Sequence, residues 1–188
     1  MNNITSSLFQ NKEWRKSQDW YSKGKSTECE KYQIGLLEDL MGIKWNKTLD
    51  RLNYETCEIK EKRYLGEEDG FEWSETFDGK IIQPSSNPLG LKDVKTMYFN
   101  LKFVCDQGGA QMRTLREVYI FIKHQLEFLC KNNTTNIYFY NILDGDQSFK
   151  NMSKFKYLLN KPKYKDVKER VFVGSLYKYS LTYYSKEL

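Results

Sequence analysis

Residues 98–119, YFNLKFVCDQGGAQMRTLREVY, place an apolar strand, a charged loop and the start of a helix side by side. The strand reads as core, yet it carries an amide, Asn100, and an ammonium, Lys102, two residues apart and hence on one face. It then opens into the glycine pair Gly108–Gly109 and the arginines Arg113 and Arg116. A glycine pair ahead of a helix is either a tight turn or a seat for a phosphate. Helix amides and guanidinium groups both favour an anion there.

Working outward, the helix is expected from about Gln111 to Lys131, because Leu115, Val118, Ile122, Leu126 and Leu129 recur at 3–4 spacing. NIYFYNIL (136–143) has the apolar, β-rich character of a buried parallel strand. Upstream, GFEWSETFDGKII alternates large and polar residues, which predicts a half-buried strand ending in an Asp78–Gly79 turn, and QPSSNPLG reads as a loop. STECEKYQIGLLEDLMG predicts a helix capped by Ser26 or Thr27 and closed by Gly42. SFKNMSKFKYLL predicts an amphipathic helix with Phe149, Met152 and Phe155 on one side. RVFVGSLYKYSLTYY predicts a closing strand, with the aromatic–basic tail packed as a hairpin. The order α-β-β-α-β-α-β implies an α/β fold in which helices flank a mixed β-sheet. Residues 1–25 read as a polar N-terminal arm, with a short helix near Trp14 and Trp20, and residues 26–188 as a single domain.

Composition narrows the function classes. A net charge of +5 on 188 residues suits a polyanionic partner but is too small for a purely electrostatic DNA binder. No apolar run reaches the about 18–20 residues of a membrane span, and MNNITSSLFQNKEW lacks the pattern of a secretory signal, so an intracellular protein is expected. The four cysteines are scattered without a CxxC pair and read as reduced thiols. GKST (24–27) looks like the end of a phosphate-binding loop, but the position that needs the first glycine is Asp19 and no buried strand leads in. Asp144 and Asp146 end the buried strand, where an Asx turn explains them at least as well as a functional site. His124, the only histidine, cannot build a histidine–metal site alone.

The pairing with chemical content is Asp78 with Lys102. If their strands are antiparallel neighbours, both side chains can emerge at one sheet edge. A carboxylate there can hold a hard divalent ion such as Mg²⁺, and an ammonium beside it can orient a water. Taken alone, Asp78 is equally a turn residue and Lys102 equally a snorkelling lysine.

WSETFDGK followed by YFNLKFV resembles the D…(D/E)-x-K arrangement of the PD-(D/E)XK nucleases. The continuation through CDQGGAQMRTLREVYIFIKHQLEFL and NIYFYNILDGD is similar to type II restriction endonucleases of that superfamily, over roughly residues 70–175. The resemblance implies a restriction endonuclease-like core, Mg²⁺-dependent cleavage of specific double-stranded DNA sequences, and a homodimer. Carried over by position, Asp78 is the metal-binding acid and Lys102 positions the attacking water. Gln111, Arg113 and Arg116 fall where backbone phosphates would be held, and Glu30, with Glu28 behind it, is the acid expected from the first helix. The middle acid of the motif falls on Asn100, an amide that can ligate a metal without adding charge. On an unbroken strand Glu72 shares the face of Asp78 and Glu75 points the other way, which makes Glu72 the expected substitute. The alternative is a catalytically silent nucleic-acid-binding protein on the same scaffold.

Overall fold

The computed structural model describes residues 11–21, 27–61, 73–85, 93–133 and 135–187. In chain order its elements are helices α1 (Lys12–Lys16) and α2 (Thr27–Met41), then strands β1 (Asp50–Asn53), β2 (Ile59–Glu61), β3 (Ser74–Thr76), β4 (Gly79–Ser85) and β5 (Asp93–Phe103). Helix α3 (Gly109–Lys131), strand β6 (Ile137–Asp144), helices α4 (Asp146–Lys150) and α5 (Met152–Leu159), strand β7 (Val171–Gly174) and helix α6 (Leu176–Glu187) complete it. Two sheets form: an antiparallel sheet in the order β2-β1-β3 and a mixed sheet in the order β4-β5-β6-β7. β4 runs antiparallel to β5, while β5, β6 and β7 are mutually parallel.

β5 is central because it is apolar on both faces. Met97, Phe99 and Leu101 pack with Leu37 and Leu40 of α2 and with Leu176 and Tyr179 of α6. On the opposite face Tyr98 joins the core of α3, whose predicted stripe Leu115, Val118, Ile122, Leu126 and Leu129 is buried throughout. Phe155 and Leu158 of α5 belong to that same core, so both parallel crossovers cover one face. Successive crossovers of one hand, stepping in one direction along a sheet, require this arrangement.

Several local expectations are corrected. GFEWSETFDGKII is two strands in two sheets rather than one. Phe77 N–H donates to the Asp50 carbonyl of β1 at 3.0 Å, and the next amide, Asp78 N–H, donates to the Phe99 carbonyl of β5 at 2.9 Å. The chain therefore changes sheets between residues 77 and 78, and Phe77 is buried against Tyr98, Phe121 and Phe139 at that point. The glycine after Asp78 does not serve a turn. A Cβ at Gly79 would overlap the indole of Trp45, so close approach is what requires it. Gln83, Pro84 and Ser85 of the expected loop extend β4, while residues 86–92 lie outside the described residues.

The helix expected at 148–159 breaks at Asn151, which leaves Phe149 45% exposed. The aromatic tail is a helix, not a hairpin: Ser175 Oγ accepts from Lys178 N–H and Asp144 Oδ1 accepts from Leu176 N–H, tying down its first turn. The arm docks through α1, where Trp14 stacks on Phe103 at a centroid distance of 6.1 Å and Lys12 and Arg15 reach Asp106.

Asp144 is fully buried and ties three elements together, accepting from Gln33 Nε2 of α2 at 2.7 Å and from Leu176 N–H of α6 at 3.1 Å. Burial pushes its carboxyl up to about 6, with the two donors pulling the other way. The unfolded carboxyl titrates near 4, so between about pH 4 and 6 the fold keeps a proton that the unfolded chain has released. Stability from this group therefore falls as pH rises through that window, by roughly 3 kcal/mol, and is flat above it. Asp144→Asn should abolish the slope. Urea unfolding from pH 4 to 7 should show the stability difference, parent minus variant, shrinking by that amount; a constant difference would contradict it.

Candidate active site

The change of sheet at Asp78 sets the site. In the β4–β5 ladder the first pair is Gly79 with Phe99, and beyond it the chain has left the sheet. Leu101 N–H, one step past the ladder, instead donates to Asp78 Oδ2 at 2.7 Å. The carboxylate thus stands in for a missing backbone carbonyl, and a charge-assisted bond of this kind contributes about 1.5–3 kcal/mol when shielded. Lys102 Nζ reaches the same Oδ2 at 3.4 Å, with the two side chains 29% and 22% exposed. At that exposure the pair is partly screened and accessible to a ligand. The other oxygen, Asp78 Oδ1, takes no hydrogen bond among the described residues. The two residues singled out in the sequence are therefore brought together at one margin of the mixed sheet.

Asn100 is not part of that pair. It is 2% exposed, and its Nδ2 donates to Asn141 Oδ1 at 3.0 Å across the β5–β6 register. Gln125 of α3 closes the group, donating to Asn141 Oδ1 at 3.1 Å and accepting from Asn141 Nδ2 at 2.8 Å. Three buried amides are thus joined between sheet and helix, which places Asn100 in the core, its Nδ2 on Asn141, apart from the Asp78–Lys102 pair. Lys102, two residues on, leans the same way but lies at the strand end, past the cover that encloses Asn100. Sequence reading missed Asn141 and Gln125, although a lone amide inside an apolar strand and another beside a helix stripe were the available signals.

The acid near the pair is Glu75. Its residue surface is exposed, yet burial of the carboxyl end is the largest influence on it and raises its pKa. Lys102 and Arg51 pull it down while Asp78 and Glu117 push it up, which puts Glu75 within electrostatic reach of both members of the pair. The expectation that Glu75 points away assumed one continuous strand. With β3 ending at Thr76 and the chain crossing between sheets, alternation no longer relates positions 75 and 78. Glu72 lies outside the described residues.

The remaining candidates scatter. Glu30 lines a cavity on the α2 side together with Lys102 and Gln111, and forms no ion pair among the described residues. Glu28 is paired with Lys31 at 3.2 Å. Gln111 and Thr114 face that cavity, whereas Arg113 is exposed and paired with Glu117 at 2.8 Å, and Arg116 sits by an apolar groove with Met112 and Tyr119. Helical rotation of about 100° per residue puts Arg113 and Arg116, neighbours at i and i+3, on the side of α3 away from Gln111 and Thr114. His124 stacks on Tyr54 at 4.2 Å, away from the pair.

Among the described residues no group of three or more His, Cys, Asp or Glu side chains is disposed to hold a metal. Asp78 and Glu75 are carboxylates within electrostatic reach of each other, and a Mg²⁺ ion uses one or two when water and substrate phosphate complete its shell. No helix among the described residues is long and apolar enough to cross a membrane. No family model matches the chain, and neither a curated protein nor a solved structure matches it.

The two assignments for Asn100 separate experimentally. Asn100→Asp would bury a carboxylate against the acceptor Asn141 Oδ1. It should destabilise the fold by about 2–4 kcal/mol at pH 8 without tightening Mg²⁺ binding. Denaturant unfolding and metal titration check this; a stable variant that binds Mg²⁺ more tightly would place position 100 in the site after all.

Proposed function

We propose that the protein is a Mg²⁺-dependent endonuclease of restriction type, built on a PD-(D/E)XK-like core and acting on duplex DNA. The observation that carries the reading is the Asp78–Lys102 pair, 3.4 Å apart and partly exposed where the chain passes between sheets. Asp78 and Glu75 would hold the ion, which supplies charge neutralisation at the phosphate and a more acidic bound water. Lys102 donates to the attacking water and holds it beside Asp78. As the water attacks phosphorus it gives up its proton to solvent, and the bond to the leaving sugar oxygen breaks as that oxygen takes a proton from another water. Arg113 and Arg116, on the outer side of the first turns of α3, are suited to backbone phosphates flanking the cut, which position a duplex without reading it. Cutting both strands calls for two such sites, so we propose a homodimer acting inside the cell.

A second reading has one observation in its favour. The motif position that normally supplies an acid is buried as Asn100, as expected of a silent DNA-binding protein that keeps the scaffold. Incubation of plasmid DNA with Mg²⁺ separates the two. The enzyme reading expects discrete fragments from the parent and a loss of at least about a hundredfold in cleavage rate for Asp78→Ala, Lys102→Ala and Glu75→Gln. Intact plasmid together with a mobility shift would establish the binding protein instead.

A further inference from the structure

The cavity beside Lys102 has two buried polar atoms without a hydrogen-bond partner among the described residues. It encloses about 460 Å³ at the C-terminal end of β5, between the starts of α2 and α3, and is closed on one side by Arg15 and Tyr21 of the arm. That size lies within the about 300–1,000 Å³ of small-molecule sites, and the C-terminal ends of strands are where open α/β sheets present ligands. Gln33, 1% exposed, lies in its wall. Its Nε2 donates both to Asp144 Oδ2 at 2.7 Å and to the Lys102 carbonyl at 3.3 Å, so two acceptors fix the amide in one orientation. Gln33 Oε1 is a buried acceptor without a donor among the described residues. Arg15 Nε, across the same cavity, is a buried donor without an acceptor among them, while Nη2 of the same guanidinium reaches Asp106. Buried polar groups are almost always paired, so a donor and an acceptor left open on one cavity describe a missing partner.

The partner's chemistry follows from what surrounds these atoms. It needs an N–H for Gln33 Oε1, an anionic oxygen for Arg15 Nε beside the Lys102 ammonium that Asp78 shares, and an apolar body against Phe103 and Tyr21, whose rings also contact Trp14 and Arg15. A simple anion supplies only the second of these requirements, and an apolar ligand only the third. A nucleotide supplies all three: an N–H on the base edge, a π face and a phosphate. We propose that this cavity is a binding pocket for a single nucleotide, with the base edge read by Gln33 and the phosphate held by Arg15 and Lys102. The nucleotide can come from a free mononucleotide or from a residue extruded from a duplex. The pocket shares Lys102 with the proposed cleavage site, while Gln33 and Arg15 belong to the pocket alone.

Calorimetric titration of the full chain in EDTA with each of the four deoxynucleoside monophosphates tests this, with inorganic phosphate as the comparison. At least one nucleotide should bind, and at least tenfold more tightly than phosphate. Gln33→Leu and Arg15→Gln should each weaken it roughly tenfold, while Lys156→Gln, on the exposed face of α5, leaves it unchanged. Arg15 sits on the arm, outside both hydrophobic cores, so its variant remains informative if Gln33→Leu unfolds. A duplex carrying 2-aminopurine distinguishes the sources: increased emission on binding identifies an extruded residue, and quenched emission alongside mononucleotide binding identifies a free nucleotide. Absence of nucleotide binding at millimolar concentration, or binding indifferent to both variants, overturns the proposal. Loss of plasmid cleavage with nucleotide binding intact would count against the nuclease reading alone.

Discussion

The carboxylate of Asp78 does the work of a backbone carbonyl. At the point where the chain leaves β1 and joins β5, the ladder would otherwise strand the amide of Leu101, and Asp78 Oδ2 takes it up at 2.7 Å. That bond fixes where the two sheets meet, how far β5 extends, and which way Lys102 faces. Because the same oxygen serves both the amide and the ammonium, the acid is oriented before any ligand arrives. Its second oxygen remains available. Such fixed geometry is the condition under which a charged pair can act on a substrate rather than merely on its own solvent.

Around this point the core is held in register by buried polar groups as well as by apolar area. Asn100, Asn141 and Gln125 join β5, β6 and α3, and Asp144 with Gln33 joins β6, α2 and α6. Satisfied networks of this kind are sensitive to a one-residue slip, because any shift would leave several amides unpaired in a low-dielectric interior. They also set limits on the site. Asn100 is only 2% exposed with its Nδ2 engaged, and an acid within electrostatic reach of the pair comes from β3.

Much of this was legible in the sequence wherever burial imposes a period. The stripe from Leu115 to Leu129, the parallel strand 137–144 and the helix from Thr27 rest on repeats of 3–4 residues or on an apolar run, and those repeats reflect packing directly. The antiparallel meeting of Asp78 with the strand of Lys102 was a condition that no period in the sequence supplied, and the β4–β5 pairing meets it. What failed had no period to read. A change of sheet between residues 77 and 78 leaves the alternation unbroken in sequence while ending the relation between positions 75 and 78, so Glu75 was assigned by a rule that no longer held. Gly79 looked like a turn glycine because close approach of Trp45 is a contact distant in sequence. The tail reads as β-prone from its tyrosines, but Ser175 and Asp144 cap it and Tyr179 packs on Phe99 and Tyr140, which selects a helix. Asn100 matched a motif position by spacing, and spacing does not say which groups already surround a side chain.

The measurement that bears most directly on the central claim is a Mg²⁺ titration of isotopically labelled protein followed by NMR, reading side-chain carboxyl and amide resonances together. The account expects the carboxyl carbons of Asp78 and Glu75 and the backbone amide of Leu101 to shift in concert, with the side-chain amides of Asn100, Asn141 and Gln125 unmoved. Shifts at Asn100 without any at Asp78, or a spectrum indifferent to Mg²⁺ throughout, would contradict it.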